Sequence, residues 1–271
     1  GLVVTNVEPD HLDHYGTIEQ LEDGFVDVVR RVEGPTVVCI DDPGSERVFE
    51  RAGGIPYGTG SRAAWGVEEV MEAELHVNFR LRKPDGERIP VTVGRPGLHM
   101  ARNAAGALAL IGELGGDVQG AAAALEGFGG VARRFQVRGR LAGVTVIDDY
   151  AHHPTEVLAT IRTARAGSWG RIWAIFQPHL YSRTRMLANE FGQAFAGVDE
   201  LVVTDVYGSR EVPQPGVSGR LVADAARART SANVRYVPHK ADVVEAIVDE
   251  LREGDLVLTL GAGDITLLPE E

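Results

Sequence analysis

The 271-residue chain is predicted to be an α/β protein in two parts, and three observations say so. From Gly143 onward, short apolar runs alternate with helical stripes almost without interruption, which predicts a doubly wound parallel sheet. Before that, Val67–Val93 switches to residue-by-residue alternation around a Lys83-Pro84-Asp85-Gly86 turn, which predicts an antiparallel hairpin within a mixed sheet. Between the halves lies Gly127-Phe128-Gly129-Gly130-Val131, a glycine-dense stretch that reads as a hinge. Residues 1–135 and 136–271 are taken as the two domains.

In the first half, Leu2–Val7 reads as a strand ending in a polar stretch from Glu8 to Gly16. Leu21, Phe25, Val28 and Val29 form the apolar stripe of a helix between Thr17 and Arg31. Pro35–Ile40 is a second strand, closed by an Asp41-Asp42-Pro43-Gly44 turn, and Ile55–Gly60 is a short extended piece. Ala73, Leu75, Val77, Phe79 and Leu81 share one face of the first hairpin arm, and Ile89–Val93 is the other arm. Two alanine-rich helices follow, near His99–Leu114 and Val118–Gly127.

In the second half the strands are Val144–Ile147, Ile172–Phe176, Leu201–Val206, Val234–Val237 and Leu256–Leu260. Val157, Leu158 and Ile161 lie on one helical stripe, and Pro154 suits its first turn because a proline there gives up an N–H that has no intrahelical partner. Glu156 in the same turn complements the positive end of the helix dipole. Met186–Phe195 and Ala241–Leu251 are further helices.

The strand ends carry the chemistry. The first is followed by Asp148-Asp149-Tyr150-Ala151-His152-His153-Pro154-Thr155-Glu156, and the second by Gln177 through Arg185. Tyr207-Gly208-Ser209-Arg210-Glu211 follows the third, and Gly261-Ala262-Gly263-Asp264 the last. In an open α/β sheet such clusters converge on the edge where ligands bind. His179 and Arg183 are four residues apart, so a helix would place them on one face, with the guanidinium fork suited to a carboxylate or phosphate. The glycine-rich turn lacks full dinucleotide-binding spacing and reads equally as a structural turn. Asp10, His11, Asp13 and His14 fit either a metal site or a hydrated loop.

Composition narrows the classes. A formal charge of −12 argues against a nucleic-acid partner. Apolar residues make up 44%, enough for real cores, with no stretch suited to a membrane span and no signal-peptide pattern, so a cytoplasmic protein is expected. Cys39 is the single cysteine and reads as a buried structural thiol. The only lysines, Lys83 and Lys240, lie outside any GxxxxGK[ST] loop.

Taken together the motifs resemble those of the Mur ligases, ATP-dependent enzymes that build the peptide of the bacterial cell wall. The resemblance rests on Asn6-Val7-Glu8-Pro9-Asp10-His11-Leu12-Asp13, Gly97-Leu98-His99-Met100-Ala101-Arg102-Asn103-Ala104-Ala105, Arg133-Arg134-Phe135, Asp148–Glu156 and Gln177–Arg183, with Val206–Gly219 in agreement. It implies the remainder of a central ATPase domain followed by a Rossmann-like C-terminal ligase domain. The family's sugar-nucleotide domain and phosphate loop would precede Gly1, so a fragment inactive alone is expected. The motifs of the second half point to the alanine-adding branch, which joins L-alanine to UDP-N-acetylmuramate through an acyl phosphate. The resemblance implies ATP and Mg2+ as cofactors, with His11 on magnesium, Asn103 at the adenine, Arg134 near the nucleotide and Asp149 on the ribose. It implies substrate contacts from Tyr150, His152, His179, Arg183 and Glu211, of which His152, His179 and Arg183 are the catalytic candidates. Met100 stands where the family commonly has asparagine, and Leu180 where arginine is frequent. The alternatives are the branch that attaches a ready-made tripeptide to the same sugar and, from another class, a metal-dependent hydrolase built on His11, His14 and nearby aspartates.

Overall fold

The structure, a computed structural model, describes residues 1–9 and 12–270. It contains two compact units, Gly1–Gly129 and Gly130–Glu271, so the division falls ahead of the expected boundary at Phe135.

In the first unit the strands run in chain order across one sheet: β1 (Leu2–Val4), β2 (Thr36–Cys39), β3 (Ile55–Gly58), β4 (Trp65–Glu72), β5 (Val77–Arg82) and β6 (Arg88–Val93). The first four pair in parallel and the last two add antiparallel. The expected hairpin is thus a three-stranded meander, and Ala73 and Leu75 lie in its first turn rather than in a strand arm. Helices α1 (Leu12–Tyr15), α2 (Ile18–Arg31) and α3 (Pro43–Ala52) precede the meander; α4 (Leu98–Glu113) and α5 (Val118–Glu126) follow it. Val4, Val38, Leu21, Val26 and Val48 close one face of the sheet, and Ala101, Ala105, Leu108 and Ala122 of α4 and α5 close the other over Val37, Tyr57 and Leu81. The sequence reading recognised a turn at Asp41–Gly44 but not α3, whose N-cap is Asp42 with Pro43 in the first turn.

The second unit holds β7 (Gln136–Leu141), β8 (Val144–Asp149), β9 (Ile172–Phe176), β10 (Glu200–Val203), β11 (Asn233–Tyr236) and β12 (Leu256–Leu260), ordered β11-β10-β9-β12-β8-β7. Five of these strands are parallel, while β7, which the sequence reading had not identified, pairs antiparallel with β8 at the edge. Helices α6 (Pro154–Arg165), α7 (Tyr181–Ala194) and α8 (Arg220–Arg229) supply Val157, Ile161, Phe191, Val222 and Ala226 to one face. Val243 and Ile247 of α9 (Val243–Ile247), with Ile265 and Leu268, cover the other. The chain passes from β8 over β12 to β9 and only later returns to fill the gap. The loops that leave β8, β9 and β12 therefore meet at the switch point of the sheet, where such folds take ligands. Among the described residues no helix is long and apolar enough to cross a membrane.

Candidate active site

Four loops of the second unit touch one another at the C-terminal strand ends. The rings of Tyr150 and His152 lie edge to face with centroids 5.1 Å apart, His152 and His179 follow at 5.8 Å, and His179 stacks on Tyr207 at 5.9 Å. Tyr207 reaches this position because the chain after β10 stays in register beside that after β9: Tyr207 N–H donates to Pro178 O at 2.8 Å, and Leu180 N–H to Tyr207 O at 3.0 Å. Gly263, from the loop after β12, lies so close that a Cβ there would sit 2.6 Å from Tyr207 Cγ. Gln177 ties the same loop down, donating to Asp264 at 2.7 Å and accepting from Ile265 N–H at 3.1 Å.

The two imidazoles are held in opposite tautomers. A carbonyl can only accept, so at 2.8 Å from Tyr150 O the Nδ1 of His152 carries hydrogen and the lone pair of the neutral ring is on Nε2. A guanidinium can only donate, so Arg183 Nη1 at 3.3 Å places the lone pair of His179 on Nδ1 and its hydrogen on Nε2. Burial above all, and next the Arg183 charge, pushes His179 down to about 4, so it is neutral at physiological pH. Arg183, in the first turns of α7, is 6% exposed. A cation is poorly placed at a helix N-terminus, so the helix dipole disfavours the guanidinium at this position.

The arginine pair divides its work. Arg133 is turned inward, its Nε 3.3 Å from Asp148 and its Nη2 donating to Gly261 O at 2.6 Å and Gly263 O at 3.3 Å. Asp148, fully buried, also accepts from Thr259 and Thr266 hydroxyls at 2.8 Å each. Arg134 is exposed, over the Tyr150 ring at 5.4 Å and 3.2 Å from Glu156 Oε1. Both guanidinium groups lean on one phenol ring, Arg133 at 4.7 Å.

Asp149 is 6% exposed and accepts from Phe135 N–H and Ala151 N–H at 2.8 Å each, fastening the strand end to the segment ahead of β7. Burial pushes its carboxyl up to about 6, against those two hydrogen bonds and Arg134, which pull it down. Glu211 accepts from Ser182 N–H at 2.9 Å and from the Ser182 hydroxyl, so it caps the start of α7. Asn103 is in the first unit, exposed on α4 one residue beyond Arg102, which pairs with Asp41 at 2.7 Å. His11 lies outside the described residues, and among those residues no three His, Cys, Asp or Glu side chains converge as a metal set.

The rim thus brings together Tyr150, His152, His179 and Arg183, with Asp149, Arg134 and Glu211 beside them. Sequence reasoning read Glu156 only as a helix-dipole residue; the structure shows it in a capping box with His153, an N-cap residue outside the Ser/Thr/Asp/Asn pattern that would have signalled the box. The same reasoning passed over the clamp made by Arg133 and Asp148, whose signal was two buried-strand carboxylates in a row.

Comparison with known proteins places both units in one family. Residues 2–111 match the Mur ligase middle domain, and residues 133–263 match the glutamate ligase domain of Mur ligases. The UDP-N-acetylmuramate--L-alanine ligase of Thermobifida fusca is 41% identical over 280 residues, covering 98% of this chain and 59% of its own length. That of Cutibacterium acnes is 45% identical over 282 residues, covering 98% of this chain and 58% of its own. Among solved structures, the UDP-N-acetylmuramate-alanine ligase MurC of Thermotoga maritima superposes with a TM-score of 0.80 at 26% identity, over 99% of this chain and 57% of that one. MurF of Acinetobacter baumannii, at 18% identity and a TM-score of 0.78, shares the fold over 100% of this chain and 60% of its own. The chain spans about 59% of the length of the curated relatives it matches. It belongs to the Mur ligase family, of which it carries the middle and C-terminal domains.

Proposed function

We propose that this chain is the larger part of an ATP-dependent, cytoplasmic ligase that joins L-alanine to UDP-N-acetylmuramate, the two substrates that its relatives' names give for them. The first unit contributes the remainder of the ATP-binding domain, with Asn103 toward the adenine and His11 toward magnesium. The second contributes the amino-acid side of the reaction. The observation that carries this reading is the unbroken row Tyr150–His152–His179 with Arg183 behind it, on the ligand edge of one sheet.

The residues suit the chemistry. A carboxylate oxygen of the muramoyl group attacks the γ-phosphorus of ATP, releasing ADP and leaving an acyl phosphate. The amine of alanine then attacks the acyl carbon, a C–N bond forms, and the bond to the phosphate oxygen breaks. This amine arrives as an ammonium and must lose a proton first. His152 takes it on the Nε2 lone pair, whereas neutral His179 donates from Nε2–H. Arg183 and Tyr150 orient the carboxylates. Arg134, an exposed cation beside an aromatic face, suits the nucleotide's phosphates, and Asp149 offers the ribose the lone pairs its two backbone donors do not use. Glu211 acts through α7, whose first turn it holds. Magnesium, when bound, would neutralise charge on the phosphates.

The test is phosphate release by the full-length ligase containing this chain, with L-alanine or a free tripeptide as the amine. Ligation of alanine but not the tripeptide is expected, and Arg183→Ala should lower kcat/KM for alanine about a hundredfold. Preference for the tripeptide, or an unchanged kcat/KM in the variant, would overturn the reading.

A further inference from the structure

We propose that Glu156 is a positioning residue that couples Arg134 to His152, so that capture of an anion by the arginine tightens the hold on the imidazole that meets the amine. This rests on the proposed ligase reading and adds to it a residue and a linkage between its two subsites.

One carboxylate serves both groups. Glu156 Oε1 lies 3.2 Å from Arg134 Nη1, while Oε2 accepts from His152 N–H at 3.0 Å and His153 N–H at 3.2 Å and sits 3.3 Å from His152 Nδ1. The pairing is graded from outside to inside, with Arg134 47% exposed, Glu156 33% and His152 16%. Burial raises the proton affinity of Glu156, but His152, its backbone N–H and Arg134 lower it by more, so the carboxyl stays below its usual range and the group is charged.

The helix cap does not need that charge. Glu156 occupies the third position of α6 in a capping box, where glutamine serves as well because the N-cap backbone N–H only needs an acceptor. What glutamine cannot do is balance a guanidinium and an imidazole together. An anion that draws Arg134 away would leave the whole carboxylate charge to His152, holding its Nδ1–H toward Tyr150 O and Glu156 and keeping Nε2 as the acceptor. By linkage the effect is reciprocal: an amine-bound His152 relaxes the grip on Arg134 and favours its transfer to the anion. Tyr150 runs in parallel, with its ring under Arg134 and edge-on to His152, so both groups keep a common wall while the carboxylate changes partners.

The experiment is a double-mutant cycle in the full-length ligase with Glu156→Gln and Arg134→Met, beside Glu156→Ala. Glu156→Gln should melt within about 2 °C of wild type while raising KM for the amine about tenfold, and Arg134→Met should then have little further effect on that KM. Glu156→Ala should lose both the cap and the coupling. If Glu156→Gln leaves KM for the amine unchanged and only Glu156→Ala is impaired, Glu156 is a cap alone and the proposal fails. Effects of Glu156→Gln and Arg134→Met that multiply would also overturn it. An enzyme that refuses alanine but ligates another amine contradicts the substrate reading, and the cycle run with that amine still decides the coupling.

Discussion

The two units seat a helix on a strand end by the same device and differ in what surrounds it. In the first, Asp42 accepts from Val7 N–H at 3.0 Å and Ser45 N–H at 2.8 Å, and Gly44 lies where a Cβ would stand 1.9 Å from Val7 O. In the second, Asp205 accepts from Val206 N–H at 2.9 Å and Gly219 N–H at 3.0 Å, and a Cβ on Gly219 would stand 1.8 Å from Thr204 O. Beyond this the two part company. The neighbouring Asp41 of the first unit is taken up by Thr59 and Arg102, so its polar groups are satisfied by its own framework. The rim of the second unit instead pairs rings and guanidinium groups across four loops, in contacts that a ligand's carboxylate or phosphate can replace. A shared scaffold therefore carries a closed polar cluster in one unit and an exchangeable one in the other.

The largest effects should come from the shared device. Gly44→Ala and Gly219→Ala each force a side chain into a backbone carbonyl, which cannot retreat, and each should cost about 3 kcal/mol or more. Amide hydrogen exchange would show protection falling in β1 and β2 for the first variant and in β9 and β10 for the second. Loss of protection in both units from either substitution would mean that they do not fold as separate bodies, and the comparison would fail.

A smaller effect, confined to the second unit, is a pair of opposed pH dependences. Asp149 is raised from 3.8 to about 6, so the folded state binds its proton better than the unfolded chain, and stability from this group is lost as pH rises through that window. His179 is lowered from 6.5 to about 4, so the unfolded chain takes the proton first, and stability from this group is lost as pH falls through its window. Between about pH 4 and 6 the two cancel in part. Relative to wild type, His179→Gln should tilt the urea-unfolding free energy downward as pH rises across this range, and Asp149→Asn should tilt it upward, by at most about 1.4 kcal/mol per pH unit. Slopes that match wild type would remove the electrostatic contrast between the units.

What the sequence disclosed follows from where burial leaves a pattern. The parallel strands of the second unit are apolar on both faces, as in the fully buried Ile172–Phe176, and they stand out as runs. β7 does not, because Gln136–Leu141 is an edge strand with no fully buried residue and so no alternation to detect. The helix α3 hid behind a turn signal: Asp42-Pro43-Gly44 reads as a turn, and it is also an N-cap with a proline in the first turn and a glycine at the contact with Val7. In the meander, Ala73 and Leu75 continue the alternation by composition, but the strand ends at Glu72 after a register shift between Glu68 and Met71. The rim was legible as residue types at strand ends, because those positions are fixed by the α/β alternation. The tautomers of His152 and His179 and the sharing of Glu156 depend on ring orientations and distances across loops, which no spacing encodes.

The smallest effect separates two arginine–carboxylate pairs, one in each unit. Arg102 approaches Asp41 at 2.7 Å, but its Nε–H is not aligned for a hydrogen bond, and Asp41 keeps Thr59 N–H and the Thr59 hydroxyl when the arginine is removed. Because Asp41 is only 7% exposed, Arg102→Met still withdraws a charge from a largely desolvated carboxylate, and about 1 kcal/mol of stability should be lost. Arg134→Met removes a guanidinium that is 47% exposed from a carboxylate still held by two backbone N–H groups and His152, so less than about 0.5 kcal/mol should follow. Thermal unfolding of the two variants side by side measures the difference. If Arg134→Met proved the costlier, Arg134 would belong to the framework as Arg102 does, and the second unit's rim would have lost the group best able to leave its partner for a ligand.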